Sequence, residues 1–151
     1  MLNQIKLFLE NHLLLTDSED KTEEQLRLAS VSLFMEMLRI DDKYEPQDRE
    51  LILRLVQKNF SLNAEQASSL IESAEQQSKQ ATDYFQFTSL INKQCTLEQK
   101  IKLIESLWKI AYSGGILDPE EEYLVRKIAD LLYVPHVDFI MAKYRVNGTS
   151  P

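Results

Sequence analysis

Apolar residues recur at intervals of three and four along almost the whole chain, the spacing that lines one face of an α-helix. Leu2, Ile5, Phe8, Leu9, His12 and Leu13 make a first such stripe. Residues 16–21, Thr-Asp-Ser-Glu-Asp-Lys, lack apolar periodicity and read as a solvated acidic loop. Thr22 with Gln25 forms a capping-box pattern, and Leu26, Ala29, Leu33, Met37 and Ile40 follow at helical intervals. Val31, Phe34, Met35 and Leu38 widen that stripe, which predicts a central helix covered on more than one side.

Pro46 and Pro119 each suit a first helical position, where the missing N–H costs nothing. Leu51, Ile52, Leu55 and Val56 give the first of these helices its buried face; Leu124, Val125, Ile128, Leu131 and Leu132 serve the second. Asn63 with Gln66 caps a helix carrying Ala67, Leu70, Ile71 and Ala74, which runs out into the polar stretch Glu75–Gln80, predicted to be a water-exposed end. Tyr84, Phe85, Phe87, Leu90 and Ile91 predict a short aromatic helix, its rings read as core. Thr96, paired with Gln99, opens a helix through Ile101, Ile104, Leu107, Trp108 and Ala111. A last helix starts near Pro135 and carries Val137, Phe139, Ile140 and Tyr144, before a frayed tail from Asn147. The fold class is all-α, a single domain of about seven or eight helices.

Two turns stand out within this pattern. Arg39–Asp48 reads Arg-Ile-Asp-Asp-Lys-Tyr-Glu-Pro-Gln-Asp, and Tyr112–Glu121 reads Tyr-Ser-Gly-Gly-Ile-Leu-Asp-Pro-Glu-Glu. Setting Pro46 on Pro119 gives an offset of 73, and without a gap Leu28 falls on Ile101, Val31 on Ile104, Met35 on Trp108, Leu51 on Leu124, Ile52 on Val125 and Leu55 on Ile128. The chain reads as a duplicated helix–acidic turn–helix unit. Its parts are an N-terminal helix and acidic loop (1–21), repeat one (22–78), a connector (79–95), repeat two (96–145) and a tail (146–151). The two units should meet along the helices that precede the turns.

Composition narrows the function. The chain has 151 residues, 44% of them hydrophobic, enough for one sizeable core. A net charge of −7, with the 17 basic residues scattered, argues against phosphate-backbone binding and so against nucleic acid. The start is too polar for a signal peptide, and no stretch reaches the ~20 apolar residues that span a bilayer. That helix reads as laid on the core or, alternatively, on a membrane surface, where only Lys6 offers a basic contact. One cysteine, Cys95, fits a reducing, cytoplasmic setting and reads as an inert thiol. His12 and His136 lie far apart and form no zinc-ligand spacing. Nucleophile elbow, phosphate loop and dinucleotide glycine motifs are missing, so no enzymatic reading has a foothold.

The acidic turns carry what chemistry there is. In the second, helix geometry accounts for the residues: Gly114 and Gly115 end a helix at positive φ, Asp118 caps the next one, and Glu121 completes a capping-box-like pair. The first differs, since Asp41 and Asp42 stand where the second has Gly114 and Gly115. Two carboxylates at a helix C-terminus oppose the dipole, costing a few tenths to about 1 kcal/mol each. Asp41, Asp42, Glu45 and Asp48 are oxygen donors in one tight turn, and pairing of the turns would add Asp118, Glu120 and Glu121. Hard divalent ions, Ca²⁺, Mg²⁺ or Mn²⁺, take such ligands. The spacing is not that of an EF-hand, with Lys43 at its third position and Ile52 at its twelfth. A solvated acidic cap and a divalent site both fit these residues.

From Leu26 to Tyr144, and most strongly over Ile110–Leu132, the chain resembles the TerB-like family, which includes tellurite-resistance proteins and domains fused to some J-domain chaperones. The resemblance implies an all-helical, pseudo-symmetric core whose paired acidic turns hold a metal ion. It places the family's Asp on Asp41 and its acidic helix-start residue on Asp48 and, in the second turn, on Glu121. The family's second Asp falls on Gly114, removing one donor, and a family Gly falls on Asp42, adding one. Two functions follow as expectations: a cytoplasmic divalent-cation protein of tellurite-type or general stress response, or a non-catalytic module that recruits an unknown protein partner. The sequence sets no oligomeric state.

Overall fold

A computed structural model describes residues 18–40 and 44–148, with side chains from Lys21 onward. Among these residues there are seven helices and no strand: α1 (Ser18–Arg39), α2 (Pro46–Phe60), α3 (Ala64–Gln80), α4 (Phe85–Gln94), α5 (Leu97–Ala111), α6 (Pro119–Leu131) and α7 (His136–Asn147). The expected helix over Leu2–Leu13 and the end of the tail lie outside the described residues.

Local sequence sets most of the boundaries. Asn63 accepts from the Gln66 N–H at 2.8 Å while Gln66 accepts in return from the Asn63 N–H at 3.0 Å. Thr96 and Gln99 exchange the same pair at 3.2 and 2.9 Å. These boxes satisfy donors that a helix start leaves orphaned. Pro46 and Pro119 both open helices. One start differs from its sequence signal: α1 begins at Ser18, so Ser18–Lys21 are helical, not loop, and Thr22 lies a turn inside. A first turn needs no apolar face of its own when the helix is anchored over its later turns.

Two helices form the centre. Along α1, Val31, Leu33, Phe34, Met35, Met37 and Leu38 are buried, as a helix covered on several sides requires. It packs most extensively on α3 and α4 and also meets α2 and α5. Helix α5 buries Leu103, Ile104, Leu107, Trp108, Ile110 and Ala111 against α7, α6, α1 and α2. Trp108 is fully enclosed; its indole N–H donates to the Phe139 carbonyl at 3.3 Å and its ring centroid lies 5.1 Å from that of Phe139. Of the six pairs related by the 73-residue offset, Val31 with Ile104, Met35 with Trp108, Ile52 with Val125 and Leu55 with Ile128 are buried and Leu28 with Ile101 half-buried, whereas Leu51 is half-buried opposite buried Leu124.

Some positions depart from the apolar pattern. Phe85 and Val137 are exposed, while Phe87, Ile91 and Phe139 of the same helices are buried. On a helix one residue in two or three faces outward whatever its chemistry. The polar run at the end of α3 hides a buried residue, Ser78.

Candidate functional site

Helices α1 and α5 pack side by side, and the starts of α2 and α6 border a common cleft. The last turns of α1 and α5 supply Met37 and Leu38, and Ile110 and Ala111, to that cleft of about 540 Å³. Glu45, Gln47 and Asp48 line it from the start of α2; Asp118, Pro119 and Glu121 line it from the start of α6. The linker Ser113–Leu117 closes a further side, contributing Gly114 and Ile116. Two pairs of carboxylates, 70 or more residues apart in the chain, thus line one cavity together with apolar side chains. None of the described lining residues is basic.

Each turn is held by its own hydrogen bonds. Asp48 accepts from the Glu45 N–H at 2.9 Å, and the Gln47 amide donates to the Glu45 carboxylate at 2.7 Å. Asp118 accepts from the Glu120 N–H at 2.8 Å. These carboxylates sit at helix N-termini, where the dipole stabilises negative charge. Each bond engages one oxygen of a carboxylate, and a carboxylate has about four lone-pair sites. Capping and cation binding are therefore compatible uses of the same residues.

Of the two glycines, only Gly115 takes positive φ, at 87°; Gly114 does not, contrary to the expectation for the pair. A Cβ at Gly114 would meet nothing within 4 Å, so this cleft residue is not glycine for want of space. Asp41 and Asp42 lie outside the described residues. Glu45, Asp48, Asp118 and Glu121 are brought to one cleft, whereas Glu120 is not among its lining residues. Among the described residues, no three His, Cys, Asp or Glu side chains stand together as a ready metal-ligand set.

A second polar centre escaped the sequence pattern. Ser78 donates to Glu36 at 2.7 Å and accepts from Arg39 at 2.8 Å, and Arg39 also faces Glu36 at 3.6 Å. The triad ties the end of α3 to the last turns of α1, the helix that delivers the first acidic turn. Its signal lay in phase: Ala67, Ile71, Ala74 and Ser78 are spaced four, three and four residues apart, which puts Ser78 on the buried stripe. Beside the triad, Glu36, Tyr84 and Lys127 border a cleft of about 480 Å³. The Lys127 ammonium lies 5.4 Å from the centre of the Tyr84 ring. Burial raises the Tyr84 phenol above its ordinary value, and the Glu36 charge adds to the rise. Cys95 follows α4 half-buried, its thiol likewise pushed up by burial, which suppresses thiolate chemistry.

The geometry defines a helical domain in which the starts of α2 and α6 present carboxylates to a common cleft. The model of the family described as tellurite resistance protein TerB matches residues 27–144, most of the chain and both turns. This protein belongs to the TerB family. Neither the curated proteins nor the solved structures yielded a match to it. No described helix is long and apolar enough to cross a membrane.

Proposed function

We propose that this is a non-catalytic, cytoplasmic cation-binding domain, in which a divalent ion such as Ca²⁺, Mg²⁺ or Mn²⁺ is held between the paired acidic turns. One observation carries the reading: Glu45, Asp48, Asp118 and Glu121, from turns far apart in sequence, line one cleft whose described lining is free of cations. Carboxylate oxygens are the ligands hard divalent ions take, and an ion drawn between the two helix starts would bring them together. Asp41 and Asp42, close to Glu45 in the chain, are proposed as further donors. Membership of the TerB family supports a role in tellurite-type or general stress response.

Thermal unfolding of EDTA-stripped protein tests the reading. A ligand at 100 times its Kd stabilises the native state by about 2.7 kcal/mol, which moves the midpoint of a chain this size by roughly 5–10 °C. One of the three ions is expected to produce that shift in the parent and not in a Glu45→Gln, Glu121→Gln variant, where two charges are gone and shape is kept. No shift at millimolar ion refutes it.

A second reading, a module that recruits a protein partner, is favoured by the apolar residues lining the cleft and by Ile116 at its edge, 86% exposed. A stoichiometric partner recovered from the native host, and lost on Ile116→Ser, would support it.

A further inference from the structure

We propose that the cleft between the first half of α1, the end of α2 and the start of α5 is the seat of this chain's own first residues: the apolar stripe Leu2, Ile5, Phe8, Leu9 and Leu13 folds back along α1 and covers Leu26, Phe60 and Cys95. The cleft measures about 240 Å³. Leu26, Phe60 and Cys95 line it half-buried, packed on the core and still partly open to solvent, with Leu103 beside them. The first turns of α1 lack the cover that its later turns have. Lys21, Glu23, Glu24 and Gln25 are exposed, Leu26 and Leu28 are half-buried, and full burial begins at Ala29. Half-open apolar side chains around one concavity are stabilised when an apolar surface covers them.

Three features select the occupant. The first is attachment. Ser18 opens α1, and Leu26 lies about 12 Å further along it. Residues 14–17 reach roughly 17 Å when extended, enough to turn the chain back on itself. An antiparallel return with 14–17 as its connection, a usual length between paired helices, sets Leu13 beside Ser18, Phe8 level with Glu23 and Ile5 level with Leu26. A segment so tethered competes at an effective concentration on the order of millimolar, ahead of a free partner. The second is the stripe itself. A helix of about twelve residues is marginal alone in water, so a stripe of this length needs a surface to cover it. The third is charge. Arg27 faces Glu23 at 3.6 Å on the rim, only Lys102 of the described lining has no opposite charge, and residues 2–13 carry one Lys and one Glu. A near-neutral cleft suits a near-neutral strap. The other cleft beside α1 is bordered by Glu24, Glu65, Gln66 and Ser73 and offers the stripe a more polar wall.

Cys95 is the chain's one thiol and lines the proposed seat, so it reads its own cover. In the full chain carrying Ile5→Cys, mild oxidation is expected to close a disulfide to Cys95 within one molecule, at a rate independent of protein concentration. Asn3→Cys, which faces away from the stripe, should close at least about tenfold more slowly. In the full chain carrying Ile5→Ser and Phe8→Ser, an aromatic disulfide reagent should label Cys95 at least about tenfold faster than in the parent, because two covering side chains are lost. Far-ultraviolet melting curves check that each variant is folded. Equal closure from residues 3 and 5 overturns the proposal, since no face of the segment is then held against the cleft. A bridge whose rate rises with protein concentration gives the cleft to a second copy and overturns it too. An unchanged labelling rate in the Ile5→Ser, Phe8→Ser variant does the same. Faster labelling without the Ile5→Cys bridge means that the segment shields the thiol from another seat, and the proposal again falls.

Discussion

Tyr84 shows how one side chain reports its surroundings. It is half-buried before α4, with Lys127 over its ring and Glu36 near enough to disfavour a second negative charge. Its pKa lies above the ordinary 10.0 because burial, first, and Glu36, second, oppose the phenolate. The native state thus holds this proton more tightly than the unfolded chain does. That contribution to stability is complete below pH 10 and declines as pH rises through the folded-state value. Cys95 adds a decline of the same sign from its ordinary 9.0 upward. Urea denaturation at pH 8 to 11 should therefore show a shallower alkaline loss for Tyr84→Phe than for the parent; equal slopes would place the alkaline sensitivity elsewhere. Sequence indicated that Tyr84 belonged with the aromatic helix but not that a carboxylate from α1 would face it. That contact joins residues 48 positions apart. Ser78 is a similar case: its helical phase was readable, whereas its partners Glu36 and Arg39 come from another helix.

Helix starts and stops carry their own chemistry. The boxes at Asn63 and Thr96 and the prolines at 46 and 119 could be read directly, because a cap is satisfied within four residues. The end of α6 has no such signal. There the Tyr133 N–H donates to the Asp130 carbonyl at 3.1 Å and the Val134 N–H to the Ala129 carbonyl at 2.9 Å, a Schellman closure with Val134 buried behind it. The closure requires a left-handed residue, and Tyr133 adopts φ 58° with its ring 78% exposed. A side chain in that region costs roughly 1–2 kcal/mol, and glycine avoids it at the expense of a more flexible unfolded chain. Tyr133→Gly is expected to raise stability by about 0.5–1 kcal/mol in a urea titration. A loss of that size instead would mean that the exposed ring packs more than its accessibility shows. The α1 start was misplaced by sequence because a polar first turn resembles a loop when only periodicity is read.

At the scale of the molecule, α1 and α5 act as the paired axes on which the other helices pack. Trp108 sits where α5 meets α7, fully buried and bonded to Phe139. It is the chain's one tryptophan, so its emission reports this junction alone. Trp108→Phe removes a hydrogen bond and part of a well-filled volume, and should cost about 2–4 kcal/mol by guanidinium unfolding followed in the far ultraviolet. A cost under about 0.5 kcal/mol would show that the junction contributes little to the core. Parent fluorescence and far-ultraviolet transitions should coincide if α5 and α7 unfold with the rest.

Sequence by itself determined the helical class, the course of the chain between caps and prolines, most of the buried faces and the TerB resemblance, since each depends on spacing within a few residues or on a contiguous motif. Tertiary structure decided the rest. Glu45 and Asp48 line the same cleft as Asp118 and Glu121 because α1 and α5 pack side by side, and that follows from how two apolar stripes pack against their neighbours. The apolar residues lining that cleft, the Glu36–Ser78–Arg39 triad around buried Ser78 and the outward turn of Phe85 and Val137 arise in the same way. Periodicity tells a helix which face to bury; only packing determines which helix will cover it.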